Sequence, residues 1–145
     1  MVIRLAETLL TFAEAAIEAN KITADVYAAI DKVRARAGMP PVDRAYYATR
    51  ERLRELIRRE RRVELAFEGL RYWDIKRWDI GAATLDGPLY GCREGSVNAQ
   101  TGEVTWSSGR IKIEDRVFYP ARKYLLPIPQ QEIDANPQVK QNAGY

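Results

Sequence analysis

Two glutamates on one face of a predicted helix are the residues of this chain that could carry acid–base chemistry. The stretch "RRERRVELAFEGLRYWDIKRW", residues 58 to 78, contains Glu60 and Glu64, one helical turn apart. On a helical wheel they share a face with five apolar side chains: Leu53, Leu56, Ile57, Val63 and Phe67. Two carboxyl groups so placed could act as the general acid and base of a glycoside hydrolase.

A structural role for the same glutamates is the alternative. A carboxylate on an apolar face costs on the order of several kcal/mol unless it is paired and hydrogen-bonded. Abundant guanidinium groups favour the charged carboxylate, which suits an ion pair better than an acid catalyst. Arg71 and Arg77 follow a bend expected at Gly69 and could fold back as partners. We therefore predict a buried ion-pair network of Glu60, Glu64, Arg71 and Arg77, no catalytic residue and no enzymatic activity.

Composition excludes several other kinds of site. The chain has no histidine and a single cysteine, Cys92, so Ser-His-Asp triads, Cys-His dyads and histidine-ligated metal sites are impossible. No Asp/Asn/Gly spacing typical of a calcium loop occurs, and we predict neither a metal nor a cofactor. The net charge is +3, and acids interrupt the seven arginines of residues 50–67. This pattern argues against nucleic-acid binding.

Aromatic side chains form two groups with different expected roles. Four lie around the predicted bend and are expected to pack in a core: Phe67, Tyr72, Trp73 and Trp78. Tyr90 and Trp106 lie in a region rich in loops, where an exposed ring could stack on a sugar or on another chain. These two are the candidate ligand-binding residues, and burial in a core is the alternative for both.

Apolar periodicity predicts a mainly α fold that begins with a helix pair. The first helix carries an apolar stripe from Val2 to Ile17, and "NKIT" interrupts it. Thr23 is a plausible N-cap for the second helix, and Gly38 suits the position just past its end. The pair has about the size of one tetratricopeptide-type unit, which needs a neighbour to cover its free face.

A third long helix completes the helical region, which we place at residues 1–78. It is expected to begin at Asp43 or Thr49, to run to Phe67 and to end at Gly69. The arginine-rich stretch with its two glutamates lies on this helix. The third helix is thus the element that must position the candidate acid–base pair.

The second half of the predicted domain, which spans 1–145, has a different character. Residues 79–119 are rich in glycine and loops, with a possible short hairpin in "VNAQTGEVTW" that turns at Thr101 and Gly102. Residues 120–145 contain four of the seven prolines and are expected to form an extended tail packed on the helices. Its expected anchors are Tyr124, Leu125, Leu126 and Ile128.

The N-terminal segment is predicted to be an amphipathic helix. Glu7 and Glu14 interrupt its apolar stretch, and no cleavage site is recognisable. We therefore expect neither a signal peptide nor a membrane span, and the chain as given is expected to be soluble.

Four blocks of this sequence resemble the C-terminal part of the SusD/RagB family. In order they are "IRLAETLLTFAEA", "AIDKVRARAGMPP", "RRERRVELAFEGLRYWDIKRW" and "YLLPIPQQEIDANPQVKQNAGY". The resemblance extends over essentially the whole chain. The family more often ends in "NPGY", whereas this chain ends in "NAGY".

The resemblance implies a non-enzymatic, nutrient-binding lipoprotein exposed on the outer membrane. Such proteins bind oligosaccharides or other nutrients and work with a SusC-like, TonB-dependent transporter. Their lipid anchor is absent from this chain, which is expected to be a truncated C-terminal domain. The alternative is a structural module that contacts a partner and has no ligand site of its own. Truncation would leave the helix pair with a free face, which predicts a homo-oligomer.

No ligand-contacting residue transfers from the family to a position of this sequence, because the known contacts lie largely upstream of the matching part. Trp106 and Tyr90 are therefore nominated on their chemistry alone.

Overall fold

A computed structural model describes the backbone of residues 4–145 and the side chains of all of these except 121 and 123. The predicted start of the first helix at Val2 lies outside the described residues. The chain divides into two compact units after Tyr72. We describe each unit separately.

The first unit contains three helices, α1 (Leu5–Glu18), α2 (Ala24–Arg36) and α3 (Arg50–Glu64). Helix α1 contacts both α2 and α3. The apolar stripes of the three helices meet in one core, whose fully buried members are Leu10, Ala13, Ile17, Val26, Ile30, Leu53, Leu56 and Ile57. The predicted helix pair and third helix are thus present, whereas the tetratricopeptide-like detail of the pair stays a prediction.

Local hydrogen bonds decide where α2 ends and α3 begins. Gly38 has φ +69°, and Met39 N–H donates to the Arg34 carbonyl at 3.0 Å, which closes α2 as a glycine C-cap does. Asp43 Oδ1 accepts hydrogen bonds from the N–H groups of Ala45 and Tyr46, at 3.0 and 3.1 Å, in a turn that precedes α3. The Thr49 hydroxyl accepts from the third N–H of the next helix at 3.4 Å. Of the two predicted starts of α3, Thr49 is therefore the N-cap.

The predicted C-terminal end of α3 was wrong. The helix ends at Glu64, and Phe67 has φ +62°, a left-handed conformation that no helix can include. Val63 and Phe67 were expected on the buried face, but their exposed fractions are 70% and 109%. The side of the last turn that carries Val63 faces away from the core of this unit, so the apolar periodicity continues beyond the surface that the core covers.

Helix α4 (Leu70–Arg77) begins in the first unit and ends in the second, and α5 (Gly81–Leu85) follows. Four short strands come next, β1 (Gly87–Tyr90), β2 (Gly95–Val97), β3 (Val104–Trp106) and β4 (Lys112–Arg116). They form two antiparallel pairs, β1 with β4 and β2 with β3. Two short helices, α6 (Pro120–Lys123) and α7 (Gln130–Ala135), lie in the C-terminal segment.

The predicted hairpin is present, and its loop is longer than a two-residue turn. A two-residue turn at Thr101 and Gly102 would place Val97 opposite Trp106. The structure pairs Gly95 with Trp106 and Val97 with Val104. The loop is longer because the Asn98 side chain accepts from two loop N–H groups, at 2.9 and 3.2 Å. Gly102 closes the loop with φ +71°.

The C-terminal segment contacts the rest of the second unit through Tyr124. Its hydroxyl accepts a hydrogen bond from Gly81 N–H at 2.9 Å, and its ring meets the Phe118 ring edge to face. Leu125 and Leu126, which were predicted to anchor the tail, are exposed. Their predicted role was wrong, and packing of the tail on the long helices stays a prediction. Backbone polar groups fix this part of the segment instead, as its hydrogen bonds to side chains show.

Among the described residues, no helix is both long and apolar enough to cross a membrane.

Candidate functional site

Glu60 and Glu64 lie against arginine side chains in the first unit. The Glu60 carboxylate accepts a hydrogen bond from the guanidinium of Arg34, in the last turn of α2. Glu64 Oε1 accepts from Arg36 Nη2 at 2.8 Å and from Arg4 Nη1 at 2.6 Å. Both carboxylates are mostly shielded from water. Carboxylates fixed by guanidinium donors in this way suit ion pairing better than general acid catalysis.

Arg4 extends this network to Glu68. Its Nε and Nη2 atoms donate to the Glu68 carboxylate at distances of 2.6 to 3.0 Å. Hydrogen bonds with Glu68, and then with Glu64, raise the pKa of the Arg4 guanidinium. The hydrogen bond with Arg4 in turn lowers the pKa of the Glu68 carboxyl. Arg4 therefore ties the start of α1 to the end of α3.

The partners expected from the sequence were Arg71 and Arg77. Arg77 donates to the buried carboxylate of Asp74 at 2.9 Å, and its guanidinium lies 4.8 Å from the centre of the Trp78 ring. The arginines that hold the two glutamates are 26 or more positions away in the chain. Participation of Arg71 and Arg77 in the network of Glu60 and Glu64 stays a prediction.

Two further charged contacts join α1 to α3, and the sequence reasoning missed both. Arg61 and Glu14 are each buried, with 3.5 Å between Arg61 Nε and Glu14 Oε2. Glu18 accepts from Arg54 Nε at 2.6 Å and from Arg50 Nη2 at 3.0 Å. Its hydrogen bond with Arg54, followed by that with Arg50, lowers the pKa of Glu18 to about 2. The arginines of α3 thus serve as helix-to-helix contacts.

A shallow cleft of about 330 Å³ lies beside the glutamates, between α2 and α3. Apolar side chains supply part of its lining, and Val63 and Met39 among them are exposed. Of the charged side chains that line it, Arg34, Glu60 and Glu64 are engaged in the ion pairs described above, and Arg59 donates to the Tyr47 hydroxyl at 3.1 Å. This cleft therefore presents apolar surface and no unengaged carboxylate pair for hydrolysis.

Trp106 lies at the end of β3, and its exposed fraction is 61%. Cross-strand partners share a face of a ribbon, and so do alternate residues of one strand. By the observed register, Trp106 therefore shares one face of the hairpin with Gly95, Val97 and Val104. Both valines are also exposed. This apolar ribbon face, defined by those four residues, is open to solvent.

The indole of Trp106 rests on the backbone of Gly95. A β-carbon placed on Gly95 would come within 2.9 Å of two carbons of the benzene ring of the indole. Carbon atoms normally meet at about 3.5–4.0 Å. A glycine is therefore required under the ring as it stands. This contact is the feature of the site that the sequence reasoning missed, because Gly95 precedes the stretch in which the hairpin was predicted.

A cleft of about 550 Å³ lies along this hairpin. The described residues that line it are Glu94, Gly95, Ser96, Thr105, Trp106 and Ser107. Successive residues of a strand point to opposite faces, so the polar side chains of this cleft lie on the face opposite to the Trp106 ring. The exposed indole and the polar cleft are therefore separate features of the hairpin.

Tyr90 is at the end of β1, in the other strand pair, where it lies opposite Lys112 of β4. Its exposed fraction is 48%. Tyr90 and Trp106 therefore belong to different two-stranded sheets. Both candidate rings are exposed, which leaves each available for stacking.

The prediction that the aromatic side chains near the bend pack in a core was wrong for three of them. Phe67, Tyr72 and Trp73 are exposed, and only Trp78 is partly buried. The sequence places these rings close together along the chain, but closeness along the chain does not supply a surface to cover them.

Comparison with known proteins gives consistent matches over the whole chain. The model of the SusD family matches residues 1–145. SusD-like protein P2 of Formosa agariphila is 31% identical over 149 residues, which cover 98% of this chain and 25% of that protein.

Two crystal structures of Bacteroides fragilis proteins are also similar. One, described as a SusD-like protein, is 34% identical to this chain, with a TM-score of 0.76. The match covers 99% of this chain and 25% of the chain in that crystal structure. The other, described as a SusD-like carbohydrate-binding protein, is 38% identical with a TM-score of 0.75 over 96% of this chain and 28% of its own. The chain thus spans about a quarter of the length of these relatives.

Proposed function

This chain belongs to the SusD family, and from that premise we propose that it is part of a non-enzymatic glycan receptor. In this proposal the receptor lies at the outer membrane, on the cell surface. It passes its ligand to a SusC-like, TonB-dependent transporter. One relative, 38% identical to this chain, is described as a carbohydrate-binding protein, which supports the class of ligand.

The observation that carries the proposal is the exposed indole of Trp106 on the β2–β3 hairpin. Its ring shares one face of the hairpin with the exposed side chains of Val97 and Val104. The apolar C–H face of a pyranose can stack on an indole while the hydroxyl groups of the sugar remain in contact with water. Tyr90, exposed on the other strand pair, is the second ring that we assign to ligand contact.

A non-enzymatic role agrees with the engagement of the carboxylates. Glu60 and Glu64, the pair that a glycosidase would need, are fixed by arginines of other segments. A retaining or inverting mechanism requires one carboxyl group to supply a proton and the other to attack or to activate water. In our proposal these glutamates hold the helices together, and the ligand binds elsewhere.

The test is a titration of the folded chain with a panel of soluble polysaccharides, by affinity electrophoresis and calorimetry, with product analysis of the same mixtures. We expect saturable binding of at least one polysaccharide and no shortened products. Trp106→Ala should weaken that binding, whereas Trp73→Ala, which removes an exposed indole outside the hairpin, should not. Shortened products, or binding that is insensitive to Trp106→Ala and Tyr90→Ala, would contradict the proposal.

A partner-contact module without a ligand site is the second candidate function. The exposed apolar side chains of the first unit favour it: Leu5, Phe12, Met39, Val63 and Phe67. Monomeric proteins rarely leave large apolar patches uncovered. In this candidate the surface is covered by a second copy of the chain or by another protein. Sedimentation of the wild-type chain over a range of concentrations tests for the second copy, and Phe67→Ser should shift any dimer toward the monomer.

A further inference from the structure

We propose that one face of the β1–β4 strand pair is a subsite for a sugar unit with two adjacent free hydroxyl groups, and that Lys112 and Asp115 are its specificity-determining residues. Tyr90 supplies the stacking surface of the same face. The inference deepens the proposed glycan-binding function and rests on it. Three observations carry it: the strand register, a β-bulge within that register, and the ion pair between Lys112 and Asp115.

The strand register places an aromatic ring and two charged side chains on one face. Tyr90 lies opposite Lys112, and Pro88 lies opposite Asp115. Pro88 and Tyr90 are alternate residues of β1, so both cross-strand pairs belong to the same face. The residue Tyr90 and the side chains of Lys112 and Asp115 are exposed by 48%, 52% and 64%. These four residues define what we call the Tyr90 face, which is open to solvent.

A β-bulge at Ile113 brings Lys112 to the Tyr90 face. In a regular strand, residues three positions apart point to opposite faces, which would separate Lys112 from Asp115. The register shifts just before Tyr90, because Ile113 is an extra residue of β4. Bulges re-aim side chains in this way and are over-represented beside functional sites. The bulge therefore builds the combination of charged groups that the face presents.

The residue after Tyr90 makes room for the bulge. A β-carbon on Gly91 would lie 3.0 Å from Cδ1 of Ile113, whereas carbon atoms normally meet at about 3.5–4.0 Å. Gly91 N–H donates to the Ile111 carbonyl at 2.8 Å, so the pairing of the two segments resumes beyond the bulge. Paired backbone thus holds the bulge, and with it Lys112, from both sides.

The ion pair shows that the two charged groups meet on this face. Lys112 Nζ lies 2.6 Å from Asp115 Oδ2. An ion pair this exposed contributes little to stability, so stability is a weak reason for the bulge. An ammonium group has three N–H donors and a carboxylate has two oxygens, so the pair can still donate to one sugar hydroxyl and accept from the next. Two adjacent hydroxyl groups of a pyranose offer that acceptor and that donor side by side.

Charge and shape indicate the class of ligand. Lys112 and Asp115 neutralise each other, so the face does not attract an anionic sugar more than a neutral one. The β-carbons of opposite residues in a strand pair lie about 4.5–5.5 Å apart, so one pyranose on the Tyr90 ring is within reach of the ion pair. The open face lets a longer glycan continue past the unit that it holds. The ligand is thus an internal unit of an uncharged polysaccharide whose linkage leaves two adjacent hydroxyl groups free.

Glu114 offers a matched control, because the same register places it on the opposite face. It lies opposite Leu89, next to Asp115 in the sequence, and it is also exposed. Glu114→Gln therefore removes a carboxylate from the same strand but away from the ring. Tyr90→Phe is the second control, because it keeps the aromatic surface and removes only the hydroxyl group.

The first experiment uses the ligand-free chain. Nuclear Overhauser contacts are expected between the side-chain protons of Tyr90 and Lys112, because opposite side chains of a strand pair are close. The Glu114 side chain should contact Leu89 and not the ring of Tyr90. Lack of the contact between Tyr90 and Lys112 in the folded chain would overturn the proposed geometry, whatever the chain binds.

The second experiment measures binding by calorimetry with four neutral hexaoses. Every unit of maltohexaose, xylohexaose and mannohexaose keeps two adjacent free hydroxyl groups, whereas the internal 1,3-linked units of laminarihexaose do not. We expect at least one of the first three to bind and laminarihexaose to bind more weakly. Tyr90→Ala should weaken binding about tenfold. Lys112→Met and Asp115→Asn should each weaken it about fivefold, and the two controls should bind as the wild type does.

The third experiment tests the ion pair through the charge of the ligand. Asp115→Asn leaves the Lys112 ammonium without the carboxylate that neutralises it in the wild type. Affinity for hexagalacturonate should therefore rise about fivefold in this variant, although affinity for the neutral hexaose falls. An unchanged affinity for hexagalacturonate would overturn the assigned role of the ion pair.

The outcomes separate this inference from the proposed function. Binding that resists Tyr90→Ala, Lys112→Met and Asp115→Asn but weakens in Trp106→Ala overturns the subsite, while the receptor function stands through the β2–β3 hairpin. Laminarihexaose that binds as tightly as the best of the other three overturns the assigned class of sugar. Failure of the folded wild-type chain to bind any glycan, in this panel and in the polysaccharide panel, overturns both proposals.

Discussion

The buried pair of Arg61 and Glu14 gives the sharpest prediction about stability. Arg61 and Glu14 side chains are exposed by 5% and 8%, and Arg61 Nη1 also donates to the Thr11 hydroxyl at 3.0 Å. Removal of one member leaves the other charge buried without this partner. Arg61→Met should therefore destabilise the chain by about 3–5 kcal/mol.

The double variant tests the physical reason. At a separation of 3.5 Å, the gross attraction between two unit charges is about 5 kcal/mol at an effective dielectric constant of 20. Desolvation of the two groups offsets most of it. Arg61→Met combined with Glu14→Leu should thus return to within about 1 kcal/mol of the wild type. Each single variant should be much less stable than the double variant.

Urea unfolding, followed by the circular dichroism of the helices at 222 nm, measures these differences. Arg62→Met is the control, because Arg62 is the exposed neighbour on the same helix and should change stability by no more than about 0.5 kcal/mol. If both single variants behave like the control, or if their losses simply add in the double variant, the buried-pair reasoning is refuted.

Three other changes probe separate parts of the chain. Glu18 has its pKa lowered from 4.5 to about 2, so it contributes stability that is present above pH 4.5 and is lost as the pH falls toward 2. The difference in unfolding free energy between the wild type and Glu18→Gln should therefore shrink over that range. At this partly exposed site the difference should start at less than about 1 kcal/mol. Gly81→Ala should cost about 1–3 kcal/mol in urea unfolding, because a β-carbon there would lie 2.2 Å from the Phe118 ring. Phe67→Gly should raise the unfolding free energy by about 1 kcal/mol, because it relieves a left-handed residue that buries no side chain.

Matched substitutions guard each of these results. Glu55→Gln removes an exposed carboxylate of α3 and is the control for the loss of a surface charge. Gly109→Ala adds the same methyl group in open space and should be nearly neutral. Phe67→Ala removes the ring but keeps the β-carbon, so it should not stabilise the chain. A gain from Phe67→Ala equal to that from Phe67→Gly would mean that the exposed ring, and not the backbone, carries the cost.

The sequence predicted well those features that neighbouring residues decide. Gly38 ends α2 and Thr49 begins α3 because each acts through backbone groups within a few positions along the chain. The apolar stripes of α1 and α2 repeat within one or two helical turns, so they indicated the buried faces directly. The strand-formers on either side of Thr101 and Gly102 indicated a hairpin. The family blocks indicated membership of the SusD family, which the comparisons confirm.

Tertiary structure decided which arginines pair with the two glutamates and which apolar side chains are exposed. Glu60 and Glu64 needed arginines, as the sequence implied, but α2 supplies them as Arg34 and Arg36, because α2 and α3 both pack against α1. Phe67 is apolar and follows the helical period, yet the chain turns away before any surface covers it. Periodicity specifies which side chains could be buried, whereas burial requires a second surface that local sequence does not describe.

The candidate ligand site shows the same division in one pair of residues. Sequence composition identified Trp106 as a ring that could stack on a sugar, because its type and its loop-rich surroundings are local properties. The Asn98 side chain lengthens the hairpin loop, and the register of the strands then brings Gly95 under the indole. A shift of the pairing by two residues would place Val97 there, and its side chain would occupy the space of the ring. The sequence thus determined that a tryptophan is available, and the register, set by hydrogen bonds across the turn, decided what supports it.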